Sequence, residues 1–144
     1  GFTLIELLIV IAIMGILAAA VLVAINPLKR QQQARDASRK SDIGQIASAL
    51  QAYMTSPGNG VYPTVSGAAN TALSILTASG DLKRIPTGPT GENYTYTVSG
   101  TAAGNEVGVY LAMESPTGAT GSVWCWRSSN GVAAELTAGG CTAP

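Results

Sequence analysis

The sequence predicts an α+β fold, with a long N-terminal helix packed on a small C-terminal antiparallel β-sheet. Three observations predict it. Residues 1–28 are strongly apolar and hold a single charge, residues 43–54 carry apolar side chains at helical spacing, and the chain beyond residue 94 alternates apolar and polar side chains between turns. The 144 residues are sufficient for one domain of ordinary size.

Composition excludes several classes of function. The chain has no histidine and two cysteines, which excludes the usual zinc sites and the Ser-His-Asp and Cys-His catalytic pairs. The five acids beyond residue 42 are interpreted as scattered surface residues, and paired carboxylates among these five are the alternative. They are Asp81, Glu92, Glu106, Glu114 and Glu135. We therefore expect no enzyme activity, no cofactor and no metal site.

The first segment, residues 1–28, is predicted to span a membrane. Nineteen residues from Leu7 to Ile25 carry no charge, and a helix of that length covers about 30 Å, the thickness of the bilayer hydrocarbon. A cleaved secretory signal is the competing interpretation. Such signals have an apolar region of about 7–15 residues behind a basic start, and no basic residue precedes this run, so we expect a lasting span.

Glu6 is the one charged side chain of this segment. Thr3 and Glu6 have the spacing of a capping box, in which each side chain bonds the backbone of the other at a helix start. The alternative is that the carboxylate pairs with a positive group of another molecule, foremost a free N-terminal amine, because an unpaired acid in lipid is costly.

The residues Gly1-Phe2-Thr3-Leu4-Ile5-Glu6-Leu7-Leu8-Ile9-Val10 resemble the N-terminal motif of type IV pilins and of the pseudopilins of type II secretion. The resemblance implies that a prepilin peptidase cuts after Gly1 and methylates the new N-terminal Phe2. It also implies that Glu6 pairs with the N-terminal amine of a neighbouring subunit during assembly. The mature chain is then expected to begin at Phe2. If a subunit kept Gly1, its amine would lie one residue farther from Glu6.

Gly15 and Pro27 are predicted to interrupt the long helix, because glycine weakens a helix and proline removes a backbone hydrogen bond. The resemblance implies that the stretch between them loses helical order in a filament. The alternative is that Pro27 only kinks a helix as it leaves the membrane.

The second segment, residues 29–55, is predicted to be the amphipathic half of the helix. Its apolar positions recur at helical spacing: Ile43, Ile46, Ala47, Leu50, Tyr53 and Met54. The basic cluster at 29–42 is interpreted as a solvated helix face, or one near lipid phosphates. The turn residues 56–60 are expected to end the helix.

Residues 56–93 are predicted to be a connecting loop region, and residues 94–144 to form the sheet. The predicted strands are residues 94–98, a face made by Val107, Val109, Leu111 and Met113, and the pair 122–127 and 132–136. The last two are joined by a hairpin turn that contains Asn130-Gly131. Trp124 or Trp126 is expected to fill part of a modest core.

Cys125 and Cys141 would enclose a short loop by pairing, which stabilises a small domain by about 3 kcal/mol in an oxidising compartment. The pair also resembles the disulfide-bounded C-terminal loop of many type IV pilins, with two free thiols as the alternative.

Major pseudopilins carry a calcium loop with several acids near the C-terminus. Beyond Glu114 this chain has only Glu135, so we expect no calcium site.

The resemblance thus predicts a structural subunit of a type IV pilus, many copies of which polymerise into a helical filament for attachment, motility or DNA uptake. The subunit is expected in the inner or cytoplasmic membrane before assembly and in an extracellular filament afterwards. Its partners would be the prepilin peptidase and the pilus assembly machinery. Alternatives are a type II secretion pseudopilin and a single-span membrane protein with a binding domain. Nucleic acid binding has little support, because residues 43–144 carry three basic and five acidic side chains.

Overall fold

A computed structural model of the protein describes residues 1–56, 60–65, 67–98 and 106–141. Two long helices, α1 and α2, are followed by a five-stranded antiparallel sheet in the order β1-β2-β3-β4-β5. The elements are α1 Leu4–Ile25, α2 Pro27–Thr55, β1 Gly67–Ala68, α3 Ala69–Ala72, α4 Ser74–Ser79, β2 Thr95–Val98, β3 Val107–Ala112, β4 Ser122–Arg127, β5 Ala133–Thr137 and a 3₁₀ turn Ala138–Cys141. The predicted α+β class is confirmed.

The two long helices meet at Asn26, whose backbone is left-handed at φ 45° and ψ 77°. Pro27 opens α2 at a position where its missing N–H is not needed for a helical hydrogen bond. Gly15, the other position at which the sequence predicts an interruption, lies inside the continuous helix α1. Loss of helical order between Gly15 and Pro27 concerns the filament and stays a prediction.

One side of α2 builds the core together with one face of the sheet. Ile43, Ile46 and Leu50 are fully buried, and they belong to the same cluster as Tyr96 and Trp126. The apolar face predicted from helical spacing is therefore confirmed, with Tyr53 and Met54 half-buried at its end.

Three of the predicted strands have bounds close to the observed ones, and the strand 122–127 coincides with β4. β3 pairs with β4 so that Val109 lies opposite Trp126. Trp126 is the more deeply buried of the two tryptophans. The predicted hairpin between β4 and β5 is present, and Gly131 supplies its left-handed residue at φ 66°.

The segment 56–93 differs from the prediction of a connecting loop region, because it contains β1, α3 and α4. Leu73, Leu76 and Leu82 from this segment are buried in the main core. The segment therefore closes the core on one side, and the sheet begins at Gly67. Residues 57–59 of the predicted helix stop lie outside the described residues, and α2 ends at Thr55.

A second, smaller apolar cluster lies on the opposite face of the sheet. It consists of Val123 and the disulfide that joins Cys125 to Cys141, with Tyr110 and Leu136 packed against them. The predicted disulfide is confirmed, and the alternative of two free thiols is wrong. The bond holds the C-terminal 3₁₀ turn against β4.

Candidate assembly surface

The surface of α1 is the largest exposed apolar feature of the structure. Every residue from Gly1 to Arg30 is exposed, including Phe2 at 96% and Leu4 at 82%. A helix that is apolar on all sides has to be covered by lipid or by other protein. The helix is long and apolar enough to cross a bilayer, so a covering of lipid fits its dimensions.

The start of α1 is held by Thr3 and Glu6. The Glu6 N–H donates to Thr3 Oγ1 at 3.3 Å, while the N–H and the hydroxyl of Thr3 both donate to Glu6 Oε2, at 2.8 and 2.7 Å. The capping box is confirmed. Among the described residues, Oε1 of the exposed Glu6 receives no hydrogen bond, so the carboxylate can keep its cap and accept a further partner.

The junction between α1 and α2 is braced by Asn26. Its side-chain oxygen accepts the Lys29 N–H at 3.2 Å, and its carbonyl accepts the Arg30 N–H at the same distance. Lys29 and Arg30 are exposed directly after the apolar helix. For these two residues of the basic cluster, the structure agrees with the predicted position in solvent or near lipid phosphates.

The rest of the basic cluster does not face solvent, and the interpretation of 29–42 as a solvated helix face is wrong for it. Asp36 and Arg39 are 3% and 1% exposed. Arg39 Nη1 bonds Asp36 at 2.8 Å, and Nη2 bonds Glu92 at 2.5 Å and Glu114 at 2.7 Å. The guanidinium thus joins α2 to two loops of the globular domain.

Asp36 and Arg35 complete this ion-pair network. The Asp36 carboxylate accepts the backbone N–H groups of Glu114 at 3.0 Å and Ser115 at 2.8 Å. Arg35 donates to both oxygens of Glu114 through Nε and Nη2. Glu92 and Glu114 are therefore partners of arginines on α2, and their interpretation as scattered surface acids is wrong.

Hydrogen bonds within the network favour the ionised forms of Arg39, Glu92 and Glu114. Burial alone would lower the pKa of Arg39, but hydrogen bonds with Glu114, Asp36 and Glu92 outweigh it and raise that pKa above its ordinary value. Hydrogen bonds from Thr90, from its own backbone and from Arg39 outweigh desolvation and lower the pKa of Glu92 to about 2. The pKa of Glu114 is also lowered, chiefly by its hydrogen bonds with Arg35.

Two further contacts turn charges of α2 toward the sheet. The hydroxyl of Tyr94 donates to Asp42 at 2.6 Å, and the Lys40 ammonium lies 4.3 Å from the ring centre of Trp124. Sequence reasoning missed this inward side of α2. The missing signal was the spacing of Asp36 and Arg39, which continues the buried stripe of Ile43, Ile46 and Leu50 toward the N-terminus.

Glu135 has a local role in the sheet. Its carboxylate accepts the backbone N–H of Thr117 at 3.1 Å and of Gly118 at 2.7 Å, as well as the Thr117 hydroxyl. These bonds tie the β3–β4 loop to β5. Gly118 is close enough to the carboxylate that an added Cβ would lie 3.1 Å from Glu135 Oε1.

Comparison with known proteins gives two related findings. Residues 1–22 match the prokaryotic N-terminal methylation motif. The chain is 36% identical over 110 residues to type II secretion system core protein G of Pseudomonas aeruginosa, covering 70% of this chain and 75% of that protein. It is 33% identical over 104 residues to the protein of the same name from Vibrio cholerae serotype O1, covering 67% and 68%. The corresponding protein of Escherichia coli K12 is 32% identical over 103 residues, covering 65% and 68%. No solved structure matches the chain.

Proposed function

The chain belongs to the family of type II secretion core protein G within the pilin-like proteins, and we propose that it is the structural subunit of a helical surface filament of the type IV pilus kind. Family membership and the apolar α1 indicate anchoring in the inner membrane before assembly. We infer that the protein acts by assembly and not by catalysis.

The observation that carries the proposal is the contrast between α1 and the rest of the molecule. The globular domain has a core of its own, made by α2, the segment 69–82 and the sheet, and α1 contributes no buried residue to it. When subunits assemble, each α1 exchanges lipid for neighbouring helices, with the small residues Gly15 and Ala18–Ala20 allowing close approach. The globular domains then coat the outside.

Two kinds of filament remain as candidates. The C-terminal disulfide supports the surface pilus, since it resembles the disulfide-bounded loop of type IV pilins. The relatives favour the second candidate, a secretion pseudopilus, because they are named for type II secretion. Electron microscopy of sheared surface material separates the two: long filaments of this chain support the pilus. Loss of protein secretion on deletion of the chain, without surface filaments, supports the pseudopilus.

The role of Glu6 is tested by separating its charge from its cap. Glu6→Gln still offers an oxygen to the Thr3 N–H but has no charge for a neighbouring amine. We expect filament yield to fall at least about tenfold, as for Glu6→Ala, because a charge-assisted pair contributes more than the 1.4 kcal/mol that corresponds to a factor of ten. Thr3→Ala is the control, which removes the side-chain cap and keeps the charge, and we expect it to assemble.

Membrane insertion is measured in parallel by fractionation, so that loss of assembly is not confused with loss of the subunit. Normal filament yield from Glu6→Gln would contradict charge pairing as the function of Glu6. The intact mass of purified filaments tests processing, with the expected mass being that of a chain beginning at N-methylated Phe2.

A further inference from the structure

Lys29 and Arg30 are basic side chains without a partner in the part of the chain that the structure describes. Both are exposed near the start of α2, and neither forms an ion pair there. The other basic side chains of α2 bind acids or a tryptophan of the globular domain, and they are Arg35, Arg39 and Lys40. The positive charge at the junction of the two long helices is therefore available to another molecule.

No acid close in the sequence neutralises this pair. Between Glu6 and Asp36 the chain has no acidic residue. Glu6 lies at the far end of α1, and Asp36 is buried and bound to Arg39. Two positive charges thus stand directly beyond a helix that has to be covered by lipid or by other protein.

The pair borders a hollow of about 240 Å³ at the junction. The residues that line it are Ala24, Ile25, Asn26, Lys29, Arg30 and Gln33. Its α1 side is apolar, and its α2 side offers cationic and amide donors. The Asn26 oxygen already accepts the Lys29 N–H, which leaves the amide N–H groups of Asn26 free to donate. A water molecule takes ~30 Å³ in the liquid, so a group of several heavy atoms fits into the hollow.

When α1 spans a bilayer, the pair lies at the depth of the phospholipid headgroups. The 22 residues of α1 cover about 33 Å, against about 30 Å for the hydrocarbon. Lys29 and Arg30 follow Ile25 by four and five residues, which places them about 6–8 Å farther along the helical path. The headgroup layer is about 5–8 Å thick on each side. Leu28 is 62% exposed and extends the apolar surface up to the cations.

We propose that Lys29 and Arg30, with the amides of Asn26 and Gln33, bind the phosphates of anionic phospholipids in the leaflet next to the globular domain. The inference rests on the membrane anchoring that is part of the proposed function. Charge complementarity selects the ligand, because a guanidinium donates two parallel N–H bonds to a phosphate and an ammonium adds a point charge. This contact fixes the depth of α1 in the membrane until the subunit is assembled.

The test is lipid retention by the full chain. The protein is released from mixed micelles that hold equal amounts of phosphatidylglycerol and phosphatidylcholine with identical acyl chains, and mass spectrometry counts the lipids that remain bound. We expect phosphatidylglycerol to be retained about 30-fold over phosphatidylcholine, the factor that two cations supply near an anionic surface. Added salt should reduce this preference. Lys29→Gln combined with Arg30→Gln should reduce it to below about threefold.

Lys83→Gln combined with Arg84→Gln is the matched control. It removes the same charge from exposed positions of the globular domain and should keep the lipid preference. All four side chains are exposed, so both double variants should melt at the wild-type temperature.

Three outcomes would overturn the proposal. They are equal retention of the two lipids by the wild-type protein, an unchanged preference after substitution of Lys29 and Arg30, and an equal loss of preference in the control. Displacement of the lipid by millimolar inorganic phosphate, but not by chloride of the same ionic strength, would also overturn it by identifying a soluble anion as the ligand. Absence of the wild-type chain from the membrane fraction of cells would contradict the proposed anchoring itself.

Discussion

Arg39 is the residue on which the attachment of α2 to the loops of the globular domain depends most. Its guanidinium is buried and bound to Asp36, Glu92 and Glu114, while its Nε has no partner among the described residues. Arg39→Met keeps most of the side-chain volume but leaves Asp36 buried without its cation. We expect the free energy of unfolding to fall by about 3–5 kcal/mol.

Urea denaturation of the chain in detergent measures this loss. Lys83→Met removes an exposed charge and is the control, with an expected change within about 0.5 kcal/mol. An equal effect of the two substitutions would contradict the structural role of Arg39.

Glu92 gives the stability of the domain a dependence on acid pH. Its pKa is about 2 in the folded protein, below the ordinary 4.5, so the unfolded chain binds the proton more tightly. The stabilising contribution is present in full above pH 4.5 and is lost as the pH falls toward 2. The side chain is 37% exposed, and solvent screening keeps the effect modest.

The check is a comparison of melting temperatures from pH 7 to pH 2. The wild-type protein should lose more stability than Glu92→Gln between pH 4.5 and 2, because the amide does not titrate. Parallel curves for the two proteins over that range would count against the lowered pKa of Glu92, to which hydrogen bonds with Thr90 and Arg39 contribute.

Among the elements, the C-terminal 3₁₀ turn depends on the disulfide for its position on the sheet. Cys125 and Cys141 are both buried in the second, smaller apolar cluster, on the face of the sheet opposite the main core. Replacing both by alanine should lower the free energy of unfolding by about 3 kcal/mol through the greater freedom of the unfolded chain. Calorimetry of the double variant measures it, with the wild-type protein under reducing and non-reducing conditions as reference. A loss below about 1 kcal/mol would contradict a stabilising role.

Sequence patterns predicted the elements whose side chains repeat over several residues. The alternation in β3 and β4 identifies strands with one face on the core, and Ile43, Ile46 and Leu50 identify the buried side of α2. The elements β1, α3 and α4 have two, four and six residues, too few for a period to appear. Their positions depend on contacts with distant parts of the chain, such as the pairing of β1 with β2.

The ion-pair network escaped prediction for a different reason. Arg39 and Glu92 are 53 residues apart, and no local pattern shows which of many acids will meet a given arginine. The cap made by Thr3 and Glu6 could be predicted because its partners lie three residues apart. Among the candidate site residues, local contacts were thus predictable, and the long-range ones required the fold.

At the scale of the whole molecule, the globular domain should fold without α1. That helix contributes no buried residue, whereas Asn26 caps α2 through the Lys29 N–H. A chain of residues 26–144 keeps this cap and should remain soluble without detergent, form no filaments, and unfold within about 1 kcal/mol of the full chain, since a helix N-cap is worth about that much. Residues 40–144 are the control. They lack Arg35, Asp36 and Arg39, so the acids of the network lose their cations and the melting temperature should fall sharply. Thermal unfolding and gel filtration compare the two chains, and an unfolded or filament-forming 26–144 would show that α1 does more than join subunits.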